Sequence, residues 1–155
     1  MRNIRTLDDW KKVADTFNEA GRSAKGAGLR FAYHNHASEF APLDGRIPMD
    51  VLIAGTDPSL VTFEMDLYWV TKAGYDPRTY FARFPGRFEL VHVKDSKGAP
   101  EHTMTEVGAG TMDWKGIFAQ HQQAGIKHYF VEHDEPADAL ESIRVSYNYL
   151  KALRF

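Results

Sequence analysis

Four side chains able to bind a metal or move a proton recur along this chain, each near the end of a short apolar run. His34 lies in LRFAYHNH, Asp66 in LVTFEMDLYWV, His92 in RFELVHVKD and Glu132 in IKHYFVEHD, spaced 32, 26 and 40 residues apart. Two imidazoles and two carboxylates make a mixed nitrogen and oxygen shell. Such a shell suits manganese or zinc first, with iron or cobalt also acceptable, and suits calcium or magnesium less because those prefer oxygen throughout. Taken singly, each residue reads equally well as a helix cap, an ion-pair partner or a polar strand end. Independent caps have no reason to recur in phase, and the recurrence favours one shared site.

The runs that carry them must be strands, and the segments between them read largely as helices. TLDDWKKVADTFNEAGRSAKGAG opens with Thr6 as N-cap and Asp9 three residues on, then spaces Leu7, Trp10, Val13, Ala14 and Phe17 as one helical face. DPRTYFARF begins a helix with Asp76 as cap and Pro77 in its first position. MDWKGIFAQHQQAG reads as a further helix and PADALESIRVSYNYLKAL as the closing one. Strands alternating with helices imply a parallel sheet, and in such folds chemistry gathers at the C-terminal ends of the strands. His34, Asp66, His92 and Glu132 are therefore expected to converge. Trp10, Phe17, Tyr147 and Leu150 are assigned to helix packing. His133 should face away from the site because strand side chains alternate. His102, His121 and His128 read as surface or helix residues, and the Gly- and Thr-rich stretch around VGAG, with Glu106, as a flexible loop.

Composition limits the alternatives. The chain has 155 residues, 43% apolar and 13% aromatic, which fits one domain over residues 1–155 with a sizeable core. A net charge of −2 without blocks of like charge supplies no footprint for nucleic acid or an anionic membrane. There is no cysteine, which excludes disulfides and thiolate metal sites. No apolar run reaches membrane-spanning length, so a cytoplasmic protein with a small-molecule partner is the default expectation.

YHNHASEF, EMDLYWV, LVHVKD, VGAGTMDW and FVEHD, in that order, resemble the xylose isomerase-like TIM barrels, the sugar phosphate isomerase/epimerase group whose superfamily also holds inosose dehydratase and endonuclease IV. The resemblance covers nearly the whole chain. It implies a (β/α) half-barrel, the C-terminal half with four parallel strands, and a divalent metal. The family's ligand order of Glu, Asp, His and Glu on barrel strands five to eight maps by motif onto His34, Asp66, His92 and Glu132. Two positions depart from the family pattern: His34 replaces a glutamate, and Trp69 stands where a histidine often follows the strand-six aspartate.

With a single metal-bound glutamate left, the resemblance implies Glu132 as catalytic base, with His36 or Glu39 opposite it. Lys94 is a candidate for binding a substrate oxygen or stabilising an enolate, and His36 and Trp69 for contacting substrate, Trp69 by stacking on a sugar ring. The leading expectation is a metal-dependent isomerase or epimerase acting by enolisation on a small polyhydroxylated carbonyl compound. A dehydratase or lyase acting on keto-sugars or inosose-like substrates is the close alternative, since one base beside a Lewis acid suits elimination. An inactive half-barrel that only folds and self-associates is a second class, and a DNA-repair enzyme a third, disfavoured by the charge balance. A complete barrel needs about 250 residues. The chain is thus expected to be a natural half-barrel or a truncated product, and a homodimer is expected because a four-stranded half has two open edges.

Overall fold

The computed structural model describes residues 4–155. Helix α1 (Leu7–Gly26) starts at a reciprocal cap. The Thr6 hydroxyl accepts from Asp9 N and the Asp9 carboxylate accepts from Thr6 N, both at 3.1 Å. Strand β1 (Phe31–His34) follows, then a 3-10 turn at Ala37–Phe40 and helix α2 (Pro48–Gly55). Strand β2 (Val61–Asp66) runs directly into helix α3 (Leu67–Lys72), and helix α4 (Pro77–Arg83) leads to strand β3 (Leu90–Val93). The two-residue strands β4 (Asp95–Ser96) and β5 (Met104–Thr105) form a small antiparallel hairpin. Helices α5 (Trp114–Phe118) and α6 (His121–Ala124), strand β6 (His128–Val131) and helix α7 (Ala139–Ala152) complete the chain.

Strands β1, β2, β3 and β6 form one parallel sheet in that order. Register sorts its side chains into two faces, because residues side by side in neighbouring strands point the same way. Tyr33 lies beside Phe63, and Met65 beside Val91. These belong to the helix-covered face, where Val61, Phe63, Met65, Val91 and Val93 are fully buried. On the opposite face His34 lies beside Glu64, Glu64 beside Leu90, Asp66 beside His92, and His92 beside Phe130. All the helices that enter the core serve the first face. The second face is the concave interior of a half-barrel, and its polar residues gather toward the strand C-termini.

Several elements differ from the sequence expectations. Helix α2 is not legible as an amphipathic helix, since PMDVLIAG is apolar nearly throughout and five of its eight residues are buried. The second strand was expected to continue to Val70. It ends at Asp66, whose carboxylate accepts from Trp69 N at 3.0 Å and so caps α3. The expected helix over residues 112–125 is two short ones joined by a break at Ala119 and Gln120. The loop after β5 is not free either: buried Asp95 accepts from Gly108 N, Met112 N and Trp114 Nε1 at 2.7–3.2 Å, pinning the loop to β4.

Candidate metal and proton-transfer site

Each strand delivers its polar residue to the same end of the concave face. His92 is the hub. Its Nδ1 lies 2.7 Å from Glu132 Oε2 and 3.8 Å from Asp66 Oδ2, while its Nε2 lies 3.5 Å from Glu64 Oε1. His34 sits beside it, the two ring centroids 4.5 Å apart. His34 Nδ1 is 3.4 Å from Glu64 Oε2, and His34 Nε2 is 3.7 Å from Asp66 Oδ2. Lys94, itself buried, places Nζ 3.1 Å from Asp66, 2.6 Å from Glu132 and 2.9 Å from Asp134.

Electrostatics follow from this packing. Burial pushes the Asp66 carboxyl above its ordinary value, against the pull of the Trp69 amide and the Lys94 charge. The hydrogen bond from Lys94 holds Glu132 below the usual carboxylate range. Burial disfavours the Lys94 ammonium, yet hydrogen bonds to Glu132 and Asp134 together with the Asp66 charge raise its pKa overall, and it stays charged. Burial first, then the neighbouring His92 and His36, depress His34, which favours the neutral imidazole that a metal requires. Asp66 Oδ2 is buried and makes no hydrogen bond among the described residues; its nearest cation is the Lys94 ammonium, at 3.1 Å.

The four residues expected as one ligand set all reach this cluster, but they do not form a single shell. Two triads have ligand atoms within 4.8 Å of one another: Asp66, His92 and Glu132, and separately His34, Glu64 and His92. Glu64 lies inside β2 rather than at its end, two residues before Asp66. The alternation of EMD, which puts residue 64 on the same face as residue 66, was the available signal. Around the cluster, the His36 ring lies 4.9 Å from His34 and 5.6 Å from Trp69, so both reach the rim of the site. Clefts of about 530 and 410 Å³ flank it, the first lined by His34 and His36, the second by Trp69 and Asp134.

Glu39, expected as a possible base, is engaged elsewhere. Its Oε1 accepts from Tyr33 OH at 2.5 Å, and Oε2 accepts from His36 N at 3.2 Å and from Ser38 Oγ at 2.7 Å. With both oxygens committed, it fastens the 3-10 turn to β1 and holds His36 in place. His133 faces α7, its Nδ1 3.1 Å from Ser142 Oγ, as strand alternation requires.

Comparison with known proteins decides the family. The model of the xylose isomerase-like TIM barrel family matches residues 2–153. The chain belongs to that family. A sugar phosphate isomerase/epimerase from Parabacteroides distasonis superposes with a TM-score of 0.87 at 32% identity, over 98% of this chain and 55% of that one. Inosose dehydratase from Clostridium beijerinckii is 28% identical over 127 residues, covering 72% of this chain and 42% of the relative. The zinc-bound IOLI protein shares the fold, with a TM-score of 0.75 at 15% identity, over 97% of this chain and 58% of that one. The chain thus spans about half the length of these xylose isomerase-like relatives.

Proposed function

We propose that this half-barrel carries the metal-assisted enolisation site of a sugar isomerase/epimerase or a related dehydratase, acting on a small polyhydroxylated carbonyl compound. The observation that supports it is the convergence of Asp66, His92, Glu132 and Lys94 from three adjacent parallel strands, with a buried Asp66 oxygen left without a hydrogen bond. The donor set fits a divalent ion such as manganese or zinc: His92 is common to both triads, with His34 and Glu64 on one side and Asp66 and Glu132 on the other. When bound there, such an ion would polarise the substrate carbonyl.

The remaining roles belong to this chain's own side chains. Glu132, kept ionised by Lys94, removes the proton from the carbon next to the carbonyl, and the bonding electrons move onto the carbonyl oxygen. The Lys94 ammonium, engaged with Asp66, Glu132 and Asp134, offsets the negative charge that develops beside it. His36, at the rim beside Trp69, either returns a proton from the opposite face or protonates a departing β-hydroxyl, which leaves as water. The first outcome is epimerisation and the second dehydration. His34 in place of a second metal-bound glutamate favours the second outcome, because a symmetric pair of carboxylate bases is missing. Trp69 supplies a ring face for a sugar.

Glu132→Gln tests this reading. Incorporation of solvent deuterium at the α-carbon of a keto-sugar or inosose should fall by about 10²–10⁴-fold in the folded variant, folding being checked by circular dichroism. Wild-type exchange in the variant would remove Glu132 from the chemistry.

A further inference from the structure

The cleft of about 410 Å³ beside the cluster runs between α3, the β4–β5 hairpin and the end of β6, and its walls are fastened to one another. The Tyr68 hydroxyl donates to His102 O at 2.6 Å and accepts from Lys72 Nζ at 3.1 Å, while Asp134 N donates to Met104 Sδ at 3.2 Å. The cleft therefore has its shape before any ligand enters. It also adjoins the reaction centre, since Asp134 on its wall accepts from the same Lys94 ammonium that holds Glu132.

His133, unused by the chemistry above, lines this cleft. Its Nδ1 lies 3.1 Å from Ser142 Oγ and 3.5 Å from Glu106 Oε1. The second separation is too long for a hydrogen bond, yet an ionised carboxylate at that range favours the ring proton on Nδ1. Glu106 is ionised, held below the usual carboxylate range by its own backbone amide and then by the Thr105 and Ser142 hydroxyls. In the neutral ring Nε2 is then the nitrogen with the free lone pair. Among the described residues it has no hydrogen-bond partner, and it is not enclosed.

The rest of the lining has the same preference. Glu101, Asp134 and Glu135 present carboxylates, which when ionised accept hydrogen bonds and never donate them. Trp69 adds an indole ring, and the Lys72 ammonium, the cation of this lining, is drawn to that ring at 4.9 Å. Acceptors set around an aromatic ring suit a ligand with many hydroxyl donors and an apolar C–H face. That description fits a sugar, and three carboxylates at the rim repel a phosphate or carboxylate group.

We propose that this cleft is a subsite for a second, uncharged sugar unit, so that the substrate is a keto-glycoside rather than a free or phosphorylated keto-sugar. His133 Nε2 accepts from one hydroxyl of that unit, and Trp69 packs against its ring. The cleft volume lies within the roughly 300–1,000 Å³ of small-molecule sites, so it takes such a unit without using the space at the cluster. The assignment rests on the reading of the cluster as an enolisation centre and adds to it the class of substrate.

Binding of sugars that cannot react tests the cleft apart from the chemistry, which stands or falls on the Glu132→Gln exchange. Cellobiose, glucose and glucose 6-phosphate serve as probes, followed by tryptophan emission. Trp10 and Trp114 are buried, so the response should come from Trp69 and vanish in Trp69→Phe. Cellobiose should bind at least about 10-fold more tightly than either other probe, and His133→Ala should weaken cellobiose by about 5–10-fold, the scale of one hydrogen bond, while leaving glucose unchanged. In the wild-type chain, nitrogen-15 spectra should show the Nδ1–H tautomer of His133 and a shift of its Nε2 on adding cellobiose, a readout that needs no variant to fold. Equal affinity for cellobiose and glucose, or an Nε2 resonance indifferent to cellobiose, would overturn the subsite. Tighter binding of glucose 6-phosphate would overturn its preference for an uncharged unit.

Discussion

Lys94 is the residue on which the charge balance of the site turns. It is 3% exposed and faces three carboxylates, one of them, Asp66, with no exposure at all. Glu132 and Asp134 are partly solvated and can shed their charge to water; Asp66 cannot. Lys94→Met should therefore destabilise the fold at neutral pH by about 3 kcal/mol, the scale of leaving a buried charge without its partner. The sign with pH follows from the raised Asp66 value. A carboxyl whose folded pKa lies above its unfolded one is a net cost once ionised, and the cost disappears as the pH falls through the folded value. Removing Lys94 raises that value further, so the variant's deficit should be greatest at neutral pH and shrink on acidification. Denaturant melts of both proteins from pH 7 down to pH 4 would measure it, and a deficit independent of pH would mean that Asp66 is not the group left stranded. Some of this was open to inspection in the sequence. His34, Asp66, His92 and Glu132 were visible as strand-end residues, and Lys94 as their neighbour. Glu64 was signalled only by the alternation of EMD, and the commitment of Glu39 to Tyr33 was not visible, because hydrogen bonding between a strand and the turn after it leaves no periodic trace.

The elements that hold these residues were legible wherever one face of a segment is wet and the other dry. Helix α1 is such a segment, with Asp8, Lys11 and Lys12 outside and Trp10, Ala14 and Gly21 inside. Gly21 is required there, since a Cβ would come within 2.6 Å of the Leu60 carbonyl where the chain enters β2. The Thr6 cap is the start signal that made the boundary readable, and its loss should carry an ordinary cost. Thr6→Ala should remove about 1 kcal/mol, and a chain of this size should then melt about 2–4 °C lower. An unchanged midpoint would show that packing alone sets the helix start. Helix α2 lacked any such contrast. Buried on nearly every side between α1 and the 3-10 turn, PMDVLIAG has no polar stripe to set its period. The end of β2 failed for a different reason. LYWV reads as more strand by composition, and only the Asp66 cap, a tertiary choice that also serves the site, turns it into α3.

At the scale of the whole molecule, the open surfaces share one geometry. Strands β1 and β6 each pair on one side only among the described residues, so the sheet offers an unpaired backbone row at both edges. Along β6, Tyr129 and Val131 are 39% and 42% exposed, although the matching positions of β3 are fully buried. On α7, Leu140, Ile143 and Tyr147 lie three and four residues apart with 81%, 60% and 58% exposure. Tyr147 was expected to pack on the sheet; the buried side of α7 is instead carried by Ser142 and Ser146. The apolar face of α7 is left open, as are both edges of the sheet among the described residues. We propose a second copy of the chain as what covers them. In a two-fold pair the β1 edge of each protomer meets the β6 edge of the other, and the order β1-β2-β3-β6 taken twice closes a ring of eight parallel strands. Each protomer then brings a full cluster to one barrel mouth, where two ions and two Lys94 ammoniums stand near each other. Metal binding by such a pair should be anticooperative for that reason, and light scattering at micromolar concentration should report a dimer. Ile143→Arg, which places a charge in the α7 stripe without touching the site, should shift the population to monomer. A monodisperse wild-type monomer would dismiss the ring, and a dimer indifferent to Ile143→Arg would place the contact on the concave faces instead.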